Sequence, residues 1–361
     1  MSRQPETHAV NSASQRLPAA HLKRFTADAL LAVGLPVKDA ATCAELMARA
    51  DLQGADGHGI FRLPQYVRRI KRGAVNVKPE VRVAREAAGM ALVDGDNGMG
   101  HVVMSFAAKT AIAKARTAGA AWVGVKRSNH AGPASLYAAM PLAHDMIGLY
   151  LAVGNANHMA PWGGVDLLLS TNPIAVAAPG NEANIVLDMA TTVAAYGKVK
   201  TAVQRGETLP EGWMIDHQGR PLTDPKRADQ GLLVPIGGYK GYGLALVFGL
   251  LAGTLNGAAT GSETVDFNAD DTTPTNTGHA IVAISIAAFG DVDEFKRRVD
   301  KLAREIRRSK PMPGVARIWL PGEQSRAKFE ERSKLGVPIP EPLRAGLDRL
   351  ARELKIKTLG T

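Results

Sequence analysis

Between residues 90 and 190, short apolar runs alternate with longer alanine-rich segments, and this alternation leaves few architectures open. MALVDGD (90–96), AAWVGVKR (120–127), MIGLYLAVGNA (146–156), NPIAVAAPG (172–180) and ANIVLDMA (183–190) read as strands. MSFAAKTAIAKARTAGA (104–120) and PASLYAAMPLAHD (133–145) read as helices set between them. Strands and helices in alternation mark an α/β fold, in which helices cover the faces of a central sheet.

The flanks extend this frame. LPAAHLKRFTADALLAVG (17–34) and KDAATCAELMARADLQG (38–54) carry helical spacing, and the basic stretch YVRRIKRGAVNVKP (66–79) leads to Pro79. The expected organisation is an N-terminal helical region over 1–85, a central α/β domain with a mixed sheet over 86–315, and a C-terminal loop and helix over 316–361 that returns to the core. Within the central part, TAVQRGETLPEGWMIDHQGRPLTDP (201–225) is turn-rich and polar, and reads as a surface excursion over about 200–232. PIGGYKGYGLALVFGLLAGTLNGA (235–258) is a glycine-rich turn opening a helix, SETVDFNADDTTPTNTG (262–278) a mobile loop, and HAIVAISIAAF (279–289) a strand. DVDEFKRRVDKLAREIRRSK (291–310) is an amphipathic helix with Phe295, Val299, Leu302 and Ile306 on its apolar side. PGVARIWLPGEQSR (313–326) reads as strand and loop, and VPIPEPLRAGLDRLARELKI (337–356) as helix.

Composition narrows the class. With 361 residues and 45% hydrophobic content, the chain can bury a large core. One cysteine, Cys43 in an alanine run, permits no internal disulfide; it reads as a small buried hydrophobe and fits a cytoplasmic protein. The opening MSRQPETHAVNSASQ has no apolar core of a secretory signal, and no apolar run reaches membrane length. A net charge of +10 would attract small anions or nucleic acid. No zinc-finger spacing or aromatic-rich RNA motif accompanies it, so nucleic-acid binding is the lesser reading and no nucleic-acid or membrane partner is expected.

Polar residues cluster next to the apolar strands, where α/β enzymes place function. In ADGHGIFRLPQY (55–66), His58 and Arg62 share a face if the segment is helical, although Gly57 and Gly59 weaken a regular helix. A satisfied histidine at a helix end competes there with a functional pair. SNHAG places Asn129 and His130 before a helix start that would favour an anion such as a cofactor phosphate. GNANHMAPWGG supplies Asn155, Asn157 and His158, and STNP supplies Asn172. The GGYKG turn could hold backbone N–H groups and Lys240 near an anion, or simply permit close helix packing. Three signatures are absent: GxGxxG after a first strand, Walker A and GxSxG. No short metal-ligand signature joins the histidines, and no metal is expected.

Taken in order, ADGHGIFRLPQY, VDGDNGMG, VKRSNHAG, MAPWGG, STNPIAVAAP, VLDMATT, GKV and GGYKGYGLAL resemble the type-2 malate/L-lactate dehydrogenase family from about residue 20 to about residue 325. The resemblance implies a non-Rossmann NAD(P)-binding fold and a homodimer with sites near the subunit interface. It implies hydride transfer between NAD or NADP and a small 2-hydroxy acid, with malate or lactate as representative substrates. By the same resemblance His58 matches the general acid/base, Arg62 the group that holds the substrate carboxylate, and Thr171 a substrate contact. His130, Ala131, Gly132, Pro133 and Ala134 match one cofactor-binding stretch, and Asp188, Met189 and Ala190 a second. Lys240 with Gly241 match a third, and Pro321, Gly322 and Glu323 a loop closing over the cofactor. Gly57 stands where many members have serine, and Lys198 where the cyclic-imine carboxylate reductases of the family have aspartate. The alternative among enzymes is a reductase of a cyclic imine carboxylate or of another 2-oxo acid, and both departures point away from imine reduction.

Overall fold

The structure, a computed structural model, describes residues 15–360 apart from the side chains of residues 204 and 205. It opens with strand β1 (Gln15–Leu17), helix α1 (Ala19–Ala32) and helix α2 (Val37–Leu52). Two single 3-10 turns, Asp56–His58 and Ile60–Arg62, lead into helix α3 (Leu63–Lys71). The polar opening stretch lies outside the described residues except for Gln15.

The alternation read from the sequence builds a mixed sheet. Strands β2 (Arg82–Ala87) and β3 (Met90–Asp94) form a hairpin, helix α4 (Gly100–Ala118) crosses over, and β4 (Ala120–Ser128) pairs parallel to β3. The short helix α5 (Ser135–Ala138) precedes β5 (Met146–Ala152), and β6 (Ile174–Ala178) and β7 (Ile185–Met189) follow in antiparallel succession. After helix α6 (Tyr196–Arg205), strands β8 (Met214–Ile215) and β9 (Leu232–Leu233), and helix α7 (Tyr239–Ala252), strand β10 (Thr277–Ser285) returns to the middle of the sheet. It lies antiparallel between β4 and β5, giving the order β2-β3-β4-β10-β5-β6-β7. Among the described strands of this sheet, β3 and β4 are the one neighbouring pair that is parallel, and every other neighbouring pair is antiparallel. A dinucleotide-binding Rossmann sheet needs successive parallel βαβ units, so the missing GxGxxG has a topological reason.

The sheet packs against α4 through a stripe of small residues. Ala107, Ala108, Ala111 and Ala115 are fully buried, at spacings of one, three and four. They bring the helix close to Val93, Val123, Val125, Ile281 and Ala283. A second core joins the two ends of the chain. Leu22, Phe25 and Leu30 of α1, Met47 and Cys43 of α2, and Tyr66 of α3 pack with Leu347 and Leu350 of helix α10 (Glu341–Leu354). Strand β11 (Val337–Ile339) pairs antiparallel with β1 beside them, so the tail is strand and then helix.

Four expectations give way. Residues 201–225 are no loose excursion: α6, β8 and β9 enclose a small core of Val199, Ala202, Leu209, Met214, Leu222 and Leu233, whose apolar residues are too scattered among turns to show a period. Helix α8 (Val292–Arg308) buries Asp300 and Ala303, while Leu302 (57%) and Ile306 (37%) are exposed. The Asp300 carboxylate accepts the backbone N–H groups of Asn181 and Glu182, both at 3.1 Å, and this turns that side of the helix inward. Residues 313–320 form no strand, because Pro311, Pro313 and a left-handed Gly314 interrupt them, and helix α9 (Glu323–Leu335) starts directly after. The 262–278 loop is firmly anchored, as described below. Several cations of α8 are paired: Lys296 with Asp145, Arg297 with Glu294, Arg304 with Glu182 and Arg307 with Glu323. Among the described residues, no helix is long and apolar enough to cross a membrane.

Candidate active site

The His58–Arg62 segment is held from beneath by a buried acid. Asp51, near the end of α2, is 3% exposed and accepts the Ile60 N–H at 2.8 Å. A Cβ at Gly59 would lie 1.8 Å from the Asp51 Oδ1, so only glycine lets the turn rest on this carboxylate. Burial pushes the Asp51 carboxyl well above the usual range, with the Ile60 N–H opposing. Arg332 of α9 donates to the Asp51 carbonyl and pairs with Asp56, fixing the front of the turn. Arg62 closes it from behind, since its Nε donates to the Gly57 carbonyl at 2.9 Å. Of the two glycines that weaken a long helix here, Gly59 is the one that allows the break into two tight turns, since a Cβ at Gly57 would meet nothing within 4 Å.

Arg62, Gln65, Tyr66 and Arg69 recur at helical spacing and form one face of α3 and the turn before it. Each grips something distant in sequence. Arg62 Nη1 donates to Gln65 Oε1 at 2.8 Å and to Asn268 Oδ1 at 3.2 Å. Gln65 Nε2 donates to the Phe267 carbonyl at 2.6 Å, and the Tyr66 hydroxyl meets His130 Nδ1 at 2.5 Å. The buried Arg69 guanidinium donates to the carbonyls of Asp270 and, at 2.7 Å, Thr273. This stripe holds the 262–278 loop down and buries Phe267 in the terminal core. It was visible in the sequence as polar residues at 62, 65, 66 and 69, but the local density of basic residues masked it.

Three rings stack across the site. His58 and His130 lie 5.5 Å apart with planes 10° from parallel, and His130 and Phe267 lie 4.9 Å apart at 12°. The Arg62 guanidinium sits over the Phe267 ring at 5.2 Å. Burial, reinforced by the nearby Arg62 charge, lowers the His58 imidazole to about 4. The same two causes hold His130 well below the ordinary histidine value. His58 is therefore neutral at pH 7 and can accept a proton. Burial also lowers Arg62, yet its acceptors are a carbonyl and two side-chain amides. Among the described residues no carboxylate pairs with it. A half-buried guanidinium without an acid is suited to an incoming anion.

The other singled-out stretches converge on β7. Gly132 has φ +80°, which favours glycine, and an added Cβ would be 3.2 Å from Nε2 of the buried His101 and 3.9 Å from the His58 carbonyl. The 130–134 loop thus runs directly against the turn that carries His58. Neither ring nitrogen of His101 has a hydrogen-bond partner among the described residues. The Ser135 N–H donates to Asp188 at 2.8 Å, which ties Pro133 and Ala134 to the end of β7. The Thr171 carbonyl accepts both the backbone N–H and the hydroxyl of Thr191, each at 2.9 Å, and the Thr191 carbonyl accepts Ile236 N–H at 2.9 Å. That chain of bonds links Thr171 and Asp188–Ala190 to the turn carrying Lys240 and Gly241. On the neighbouring edge, Val186 N–H donates to the Pro321 carbonyl at 3.1 Å, and Gly322 passes against Val186. The Glu323 carboxylate is engaged by Arg307, Arg317 and the Leu320 N–H. Lys198 is exposed, and Asn155, Asn157 and Asn172 are taken up by Thr277, the Gly261 carbonyl and the Ala245 carbonyl.

Lys240 is exposed in the first turn of α7, just after Gly237 and Gly238, both left-handed at φ +59° and +65°. The N–H groups of Gly238, Lys240 and Gly241 are taken by the carbonyls of Pro235, Gly237 and Ile236, so the donor this turn offers is the exposed Lys240 ammonium. A cation of this kind fits a phosphate of a pyridine dinucleotide.

A family model described as malate/L-lactate dehydrogenase matches residues 17–348. A malate dehydrogenase of Pyrococcus abyssi is 38% identical over 352 residues, covering 95% of this chain and 96% of that protein. An L-sulfolactate dehydrogenase of Methanocaldococcus jannaschii is 38% identical over 336 residues, covering 92% and 95%. The solved malate dehydrogenase of Pyrococcus horikoshii OT3 superposes with a TM-score of 0.90 at 34% identity, covering 98% of this chain and 99% of that one.

Proposed function

The chain belongs to the malate/L-lactate dehydrogenase family and is an NAD(P)-dependent oxidoreductase of 2-hydroxy and 2-oxo acids; from that premise we propose that it interconverts a malate- or lactate-type 2-hydroxy acid and its 2-oxo acid, as a cytoplasmic homodimer. One observation carries the reading: a neutral, ring-stacked His58 ends one tight turn and an Arg62 guanidinium with no carboxylate partner ends the next, bonded back to the Gly57 carbonyl. In this reading Arg62 presents its planar fork to the substrate carboxylate and so fixes the carbon next to it. His58 takes the hydroxyl proton during oxidation and returns it during reduction. Stacking on His130 keeps the His58 ring from turning, and Tyr66 holds His130 through Nδ1. Thr171 is the proposed further contact to substrate. The nicotinamide, when bound, supplies the two-electron chemistry. Residues 130–134, Asp188–Ala190, Lys240 with Gly241, and Pro321–Glu323 are the proposed cofactor contacts.

Support for the dimer comes from α7, which beyond Lys240 carries no charged residue on any side. Leu244, Leu246, Val247 and Leu250 are exposed along it, near exposed Leu167 and Leu168. A continuous apolar patch of this kind is suited to a self-complementary interface.

The test is a panel of 2-oxo acids and their methyl esters, assayed with NADH and NADPH. The acids are expected to oxidise at least one cofactor, with the esters slower by about 10²-fold or more, as befits a site that leaves its charged donor unpaired. Equal rates for acids and esters would remove carboxylate recognition from the proposal.

A further inference from the structure

Lys200 lies on α6 two residues beyond Lys198, and the two lysines face different surroundings. Lys198 is exposed, whereas Lys200 is half-buried. Lys200 Nζ donates to Asn268 Oδ1 at 3.1 Å, and the same oxygen accepts from Arg62 Nη1 at 3.2 Å. One shared acceptor puts the two cationic nitrogens within about 6 Å of each other. The orientation of that amide is settled by chemistry. Asn268 donates its backbone N–H and its Nδ2 to Asp266 Oδ1, at 2.8 and 3.0 Å, so its oxygen must face the cations.

Neither cation is neutralised. Among the described residues no carboxylate lies within ion-pair distance of Lys200 or Arg62. Asp266 attracts Lys200 only from further away, and burial together with the Arg62 charge lowers the Lys200 ammonium. The ammonium is held in place by the Tyr196 ring, 5.3 Å from its centroid, and Tyr196 is stacked on His158 at 3.8 Å. Two like charges therefore converge across a single neutral oxygen. Their repulsion is relieved when two negative groups enter, one for each cation.

We infer that Lys200 sets substrate specificity, binding the second acidic group of a dianionic 2-oxo or 2-hydroxy acid whose first carboxylate is held by Arg62. This inference rests on the reading of Arg62 given above. A four-carbon diacid, or a three-carbon acid ending in a sulfonate, carries its first anion on the reacting carbon and its second one carbon further on. A substrate that ends in a methyl group leaves Lys200 unmatched.

The test compares pyruvate, oxaloacetate and sulfopyruvate in the wild type, Lys200→Met and Lys200→Arg. In the wild type the two dianions should exceed pyruvate in kcat/KM by at least about tenfold. Lys200→Met should lower kcat/KM for the dianions about 10–10²-fold, mostly through KM, with pyruvate nearly unchanged, as the loss of a charged hydrogen bond requires. Lys200→Arg should recover most of the loss. A fall shared equally by all three acids, or no fall at all, overturns the inference. Calorimetric binding of succinate, an unreactive diacid of the same carbon spacing, against propionate reads the same selectivity without turnover. Succinate should weaken about tenfold or more in Lys200→Met while propionate does not change, and unchanged succinate binding overturns the inference. If the wild type reduces none of the three acids, the functional reading fails, and the succinate result still decides the role of Lys200.

Discussion

His58→Ala should reduce kcat about 10²- to 10⁴-fold, the range typical for removing a positioned proton-transfer group. Cofactor binding should change little, since in this account the ring faces substrate. The fold should survive, because the turn is held by the Asp51 carboxylate, the Gly57 carbonyl and Arg332, none of which uses the imidazole. The mutant also removes one ring from a three-ring stack. Circular dichroism and cofactor-fluorescence titration separate this packing loss from the chemistry. Near-normal turnover in a folded mutant would take the proton-transfer role away from His58.

Arg62→Lys is expected to lower kcat/KM on the order of 10²-fold, with KM raised and kcat also reduced. The charge is retained, but the fork is not. An ammonium can neither grip a carboxylate with two parallel hydrogen bonds nor keep the present contacts to Gly57, Gln65 and Asn268. Lost charged hydrogen bonds of about 1.5–3 kcal/mol each account for a fall of this size. The reduction in kcat arises because the reacting carbon is no longer held in register. An Arg62→Lys enzyme with unchanged kinetics on every 2-oxo acid would show that the carboxylate is bound elsewhere.

The sheet was largely legible in the sequence, because its strands are apolar runs of ordinary length separated by an alanine-rich helix. Strands β3, β5, β6 and β7 fall within the apolar runs that read as strands, and β4 exceeds its run by Ser128 alone. The insertion of β10 between β4 and β5 was not legible, since strand order depends on contacts remote in sequence. The small core around Val199, Leu209, Met214 and Leu222 was hidden for a different reason: single apolar residues among turns carry no period. In the site, the motif stretches were visible by resemblance, but Lys200, Asn268 and Phe267 were not. Asn268 and Phe267 sit in a segment of polar, turn-forming residues that looks mobile until the stripe Arg62, Gln65, Tyr66 and Arg69 is seen to hold it. Lys200 has no local mark apart from Tyr196 one helical turn earlier.

The proton carrier is tested most directly by the pH dependence of kcat/KM in both directions. Oxidation requires His58 neutral and reduction requires it protonated, so a ring lowered to about 4 gives the two directions different profiles. Oxidation of the hydroxy acid should be flat from about pH 6 to about pH 9, and reduction of the oxo acid should fall about tenfold per pH unit across the same range. The ratio then changes tenfold per unit, as the one-proton equilibrium of the reaction demands. In His58→Gln the residual reduction should lose this steep dependence. A reduction profile that stays flat up to about pH 6 and bends near 6.5, the value of a solvated imidazole, would contradict the half-buried, neutral His58. So would a steep profile that survives unchanged in His58→Gln.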